Sequence, residues 1–142
     1  MRNARILIIE EERMLSEYLC DSLHQKGHRI IGTARTVAEA IVNCLDSGPD
    51  LIVVDIQLGD QSEMAHAAGT IRAKFQSGIP IIFLSATWSS HSHPGQPELC
   101  LRKPFSERGL HAAIEDALRT VQERFELHLS LWSGRRRDVC GS

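Results

Sequence analysis

The sequence predicts a doubly wound α/β domain, a parallel sheet with helices on both faces. Three observations lead there: five short apolar runs rich in β-branched residues, segments of helical period between them, and the continuity of the runs themselves. A continuous apolar strand is buried on both faces, as in a parallel sheet, and right-handed crossovers then join successive strands.

In chain order, Arg5 to Ile9 is the first strand. Leu15, Leu19 and Leu23 then recur every four residues, and this helix stops at Gly27, a residue suited to the C-terminal cap. Arg29 to Thr33 is the second strand. Thr36-Val37-Ala38-Glu39 has capping-box spacing and opens a helix that ends near Ser47-Gly48-Pro49. Leu51 to Val54 is the third strand, followed by a helix from about Ser62 to Phe75 that Gly69 weakens by roughly 1 kcal/mol relative to alanine. Ile79 to Leu84 and a weaker Glu98 to Leu101 complete the strands. The last helix begins at Ser106 and carries Leu110, Ile114, Leu118 and Val121 on one face.

With 142 residues the chain is long enough for one well-buried domain. A formal charge of -2 gives no global attraction to nucleic acid or anionic lipid, so neither partner is expected. The longest apolar runs fall far short of the roughly 20 residues that span a bilayer, and the N-terminus lacks a signal peptide's apolar core; a cytoplasmic location is expected. Cys20, Cys44, Cys100 and Cys140 stand far apart with no CxxC pair, which favours free thiols over disulfides or zinc.

In doubly wound sheets ligands bind beyond the carboxyl ends of the strands. Those ends carry Glu10 and Glu11 after strand one, Asp55 after strand three, Ser85 after strand four, and Lys103-Pro104 after strand five. Carboxylates held this close need a cation, or one of them keeps its proton. Mg²⁺ fits, because it takes few protein carboxylates together with waters and a phosphate.

The motifs "IIEEE", "DLIVVDIQLGD", "IIFLSA" and "LRKPF", in this order and spacing, resemble the receiver domain of two-component response regulators over about residues 4 to 121. "DIQLGD", with a Ser/His/Pro-rich stretch before strand five, is also similar to receivers of the general-stress-response regulators of alphaproteobacteria. The resemblance implies a flavodoxin-like sheet of strand order 2-1-3-4-5. It implies that Asp55 accepts a phosphoryl group from a histidine kinase or phosphotransfer protein. Glu11, with Glu10 behind it, would hold Mg²⁺ together with Asp55 and the backbone carbonyl of Gln57. Ser85 would bond a phosphoryl oxygen, Lys103 would pair with the phosphoryl charge, and Gln57 and Thr87 would tune its hydrolysis. The Lys103-Pro104 bond is expected to be cis. The implied role is a phosphorylation switch that signals by binding a further protein; its only catalysis is its own phosphorylation and dephosphorylation.

Three departures qualify this. Glutamates replace the family's usual Asp-Asp or Glu-Asp pair, and the extra methylene predicts weaker Mg²⁺ binding. Cys100 stands where the family usually has an aromatic switch residue. "TWSSHSHPGQP" replaces the usual helix between strands four and five, which predicts a shortened helix or a loop. His91 and His93 in that stretch have no third ligand in view.

The receiver is expected over residues 1–122, with residues 123–142 as an extension and no separate output domain. Arg135-Arg136-Arg137 reads as a solvated terminal cluster. "FELHLSLW", residues 125 to 132, has a period of two that suits a strand, yet it follows a helix directly. Its apolar surface can serve a homodimer through the extension or fold back onto the domain. Two other functions compete. A pseudo-receiver would bind partners without phosphate. A phosphohydrolase resembling the haloacid dehalogenase family would need an aspartate where Gln57 stands. A dinucleotide site is disfavoured, since no GxGxxG follows strand one.

Overall fold

The apolar runs form five strands, β1 (Arg5–Glu10), β2 (Arg29–Ala34), β3 (Leu51–Asp55), β4 (Ile81–Ser85) and β5 (Glu98–Arg102). Between and after them lie helices α1 (Arg13–Gln25), α2 (Val37–Cys44), α3 (Gln61–Lys74) and α4 (Glu107–Cys140). The computed structural model describes residues 3–55, 61–75, 78–85 and 98–140. Gln57, Thr87, His91, His93 and the stretch expected to shorten the helix before β5 lie outside them.

The sheet is parallel throughout, in the order β2-β1-β3-β4-β5, as expected of a flavodoxin-like fold. Alternate residues of each central strand feed two separate cores. Leu7, Ile9, Ile52, Val54, Ile81 and Phe83 pack with Ala40 of α2 and Ile71 of α3. Ile6, Ile8, Leu51, Val53, Ile82 and Leu84 pack with Leu19 and Leu23 of α1 and Leu110 and Ile114 of α4. Both faces being covered explains why the strand sequences do not alternate.

Local chemistry sets the element ends. At the end of α1 the Gly27 N–H donates to the His24 carbonyl (2.9 Å) and the His28 N–H to the Leu23 carbonyl (3.1 Å). This is a Schellman closure, and it needs the left-handed φ of +90° that Gly27 adopts. The Thr36 hydroxyl caps α2 by accepting from the Glu39 N–H at 3.0 Å, while the Glu39 carboxylate reaches back to the Arg35 N–H rather than to Thr36. A single 3₁₀ turn, Leu45–Ser47, follows α2. The Ser106 hydroxyl caps α4 by accepting from the Gly109 N–H at 2.9 Å.

Several boundaries differ from those read in the sequence. Strands β1, β3 and β4 extend to Glu10, Asp55 and Ser85, one residue past their apolar runs, because these polar residues continue the ladder. The alternation at 125–132 does not mark a strand: α4 continues through it to Cys140. A helix already formed propagates at the cost of one residue per hydrogen bond, and no proline interrupts it. The division expected at residues 122/123 therefore falls inside a continuous helix.

Candidate functional site at the carboxyl edge of the sheet

Parallel pairing brings the polar strand ends together. Glu10 and Asp55 are register partners at the ends of β1 and β3, and each is only 5% exposed. Two adjacent carboxyl groups removed from water cannot both ionise without compensation. Lys103, just past β5, supplies part of it: its Nζ lies 2.6 Å from Asp55 Oδ2. The Lys103 N–H donates to the Ser85 carbonyl at 2.9 Å, which ties this residue to the end of β4. The Lys103–Pro104 peptide bond is cis.

Glu10 Oε1 accepts from the Glu12 N–H at 2.8 Å. Its Oε2 is buried and makes no hydrogen bond among the described residues. Burial, with the Asp55 carboxylate next to it, pushes the Glu10 carboxyl up to about 8, against the partial relief of the Glu12 N–H and Lys103. Without a cation, this shift favours the protonated form of the Glu10 carboxyl beside Asp55. Glu11, by contrast, is exposed at the rim. Ser85 is half-buried at the end of β4. Cys100 pairs in register with Phe83 and packs against the core on the α2–α3 face; burial pushes its thiol up to about 11. The thiol is therefore inert at neutral pH.

From Glu10 and Glu11 a cavity of about 750 Å³ runs along α1 to the end of β2, lined by Arg13, Glu17, Cys20 and Arg35 among others. Sequence reading missed this extension, since α1 and β2 meet there only in three dimensions.

The edge suits a hard divalent cation. The unpartnered Glu10 Oε2 beside the buried Asp55 carboxylate offers oxygen donors to a cation. Among the described residues no cluster of three or more His, Cys, Asp or Glu side chains forms a complete cage. Two carboxylates suffice for Mg²⁺, which keeps waters and binds phosphate oxygens.

The family model for the response regulator receiver domain matches residues 6–115. The chain belongs to this family. Receivers are signalling modules that interact with kinases or phosphotransfer proteins, and receivers generally bind Mg²⁺ at an acidic site. Among curated relatives, the phyllosphere-induced regulator PhyR of Methylorubrum extorquens is 35% identical over 117 residues, covering 80% of this chain and 43% of its own length. The transcriptional regulatory protein YvrH of Bacillus subtilis is 33% identical over 130 residues, covering 87% and 53%. The chain thus spans about half the length of the curated relatives it matches. Among solved structures, the anti-anti-sigma factor PhyR of Bartonella quintana aligns with a TM-score of 0.75 at 29% identity, over 90% of this chain and 52% of that one. The receiver domain of Erythrobacter litoralis PhyR aligns at 0.66 and 34% identity, over 82% and 90%. The receiver is therefore related to alphaproteobacterial general-stress-response regulators in both sequence and structure.

Proposed function

We propose that this receiver is a phosphorylation switch in which Asp55 accepts a phosphoryl group from a histidine kinase or phosphotransfer protein and the change is read by a protein partner. The buried pairing of Glu10 with Asp55, under the Lys103 ammonium, is the observation that carries this reading. A carboxylate oxygen of Asp55 attacks phosphorus as the donor's bond to it breaks, and an acyl phosphate forms. Lys103, 2.6 Å from Asp55 Oδ2, offsets the charge of the attacking carboxylate. Once the phosphoryl group is in place, Lys103 pairs with its oxygens and the Ser85 hydroxyl donates to one of them. Glu10 and Asp55, with Glu11 and the Gln57 carbonyl completing the set, would hold Mg²⁺, which when bound neutralises charge on the phosphoryl oxygens.

Mass measurement of the intact protein after incubation with acetyl phosphate tests this. Addition of one phosphoryl group that requires both Mg²⁺ and Asp55, and is absent in Asp55→Ala, is the expected result. A second reading, a pseudo-receiver that binds its partner without phosphate, is favoured by the proton on Glu10, which lowers the site's charge for a cation. No phosphoryl addition from acetyl phosphate or from histidine kinases, with partner binding unchanged by Asp55→Ala, would decide for it.

A further inference from the structure

The amino edge of the sheet, where Arg5 and Arg29 pair in register and open β1 and β2, lies opposite Asp55 and is tied by a histidine that the phosphorylation site does not use. His28, in the turn between α1 and β2, is buried, and its Nδ1 accepts the Ala4 N–H at 3.1 Å. The Arg29 N–H donates to the Ala4 carbonyl at 2.8 Å, so residues 28 and 29 hold both polar groups of the buried Ala4 backbone just before β1 begins. A proton on His28 Nδ1 turns that acceptor into a donor facing a donor, which breaks the bond and leaves the Ala4 N–H buried without it.

α4 brings a second imidazole to the seam it forms with α1. The single hydroxyl proton of Ser22 goes to the Glu107 carboxylate, at 3.0 Å from Oγ to Oε1. His111 Nε2, 3.2 Å from the same Oγ, therefore donates to it, and Nδ1 is the bare nitrogen of the ring. That Nδ1 is buried and makes no hydrogen bond among the described residues. The charged groups that bear on His28 are His111 and Glu115, both from α4, while the start of β1 faces it with the Ala4 N–H. Burial, with charge on His111 adding to it, lowers the His28 pKa from 6.5, and Glu115 opposes the shift. An imidazolium at position 28 thus meets a donor at Nδ1 and a like charge across the seam, and is relieved by moving to water.

We infer that His28 is an acid-released latch under the charge of His111 and Glu115: protonated, it leaves its place and frees Ala4 and the start of β1, while the central strands keep their fold. Asp55 chemistry is not involved, so the inference stands or falls apart from the phosphorylation reading.

NMR of the full chain in EDTA, without phosphodonor, tests it by following the His28 imidazole together with amide protection factors, corrected for intrinsic exchange, from about pH 7.5 to about pH 5. The Ala4 amide is expected to lose tenfold or more of its protection along the His28 titration, while Ile8 and Val53, register partners in β1 and β3, keep theirs. His28→Asn, whose amide oxygen accepts in place of Nδ1 without titrating, should abolish the loss. His111→Gln should move the midpoint of the loss up in pH and Glu115→Gln should move it down, opposite shifts that a merely structural role does not produce. Ala4 protection that stays constant while His28 titrates would overturn the latch, as would a loss that persists in His28→Asn, or a simultaneous loss at Ile8 and Val53, which is global unfolding. Midpoints that both α4 substitutions leave in place would overturn the part given to His111 and Glu115. If His28→Asn fails to fold, the wild-type titration decides alone.

Discussion

Glu10 is where the receiver's chemistry and its stability meet. Its carboxyl titrates near 4.5 in an unfolded chain and near 8 in the fold, so between those values the folded state binds the extra proton. Stability conferred by the protonated form therefore falls as pH rises across that window. In chelator-treated protein, Glu10→Gln should raise stability at pH 8 by about 1 kcal/mol or more and change it little at pH 5, as read by urea denaturation at both values. An equal effect at both would mean Glu10 is not held protonated. His28 contributes the opposite slope: burial, reinforced by His111, lowers its pKa below 6.5, and the stability of its neutral form is lost as pH falls from 6.5 through the lower folded value. Its Nδ1 accepts the Ala4 N–H at 3.1 Å, which requires that nitrogen to be unprotonated.

At the scale of elements, the join of β2 to α2 shows how tightly the edge that carries the cavity is built. The β1–β2 register shifts between Ile6 and Leu7, so that Leu7 pairs with Gly32 across a bulge. A Cβ on Gly32 would come within 3.0 Å of Cys44 Sγ and 3.3 Å of Leu7 Cδ1. Gly32→Ala should cost roughly 1–3 kcal/mol, and Cys44→Ala in the same chain should recover part of it by clearing the thiol. Thermal or urea unfolding of the two single variants and the double variant measures the coupling; strict additivity would mean the crowding is relieved elsewhere. Neither contact could be read from the sequence, where Gly32 is a lone glycine within an apolar run. The seam between α1 and α4 was equally illegible. There Ser22 Oγ lies 3.0 Å from Glu107 Oε1 and 3.2 Å from His111 Nε2, contacts between residues far apart in the chain.

For the molecule as a whole, the parallel sheet and the convergence of polar strand ends were legible because apolar continuity and connection order constrain a doubly wound fold strongly. Pairing of Glu10 with Asp55 follows from that topology, but which glutamate turns inward does not: Glu10 is buried as the last residue of β1, whereas Glu11 leaves the ladder and is exposed. The course of α4 was not legible either. A two-residue alternation describes side chains, and tertiary cover normally decides between helix and strand; beyond Leu118 the described receiver supplies none, and the helix simply propagates.

The central claim is that Asp55 carries the phosphoryl group. Borohydride reduces an acyl phosphate to the alcohol, so reduction of the Mg²⁺- and acetyl phosphate-treated receiver, followed by peptide mass mapping, locates it. Homoserine at position 55, and only there, is the predicted result. Reduction at Glu10 or Glu11, or an unmodified Asp55 in a protein that has gained phosphoryl mass, would contradict it.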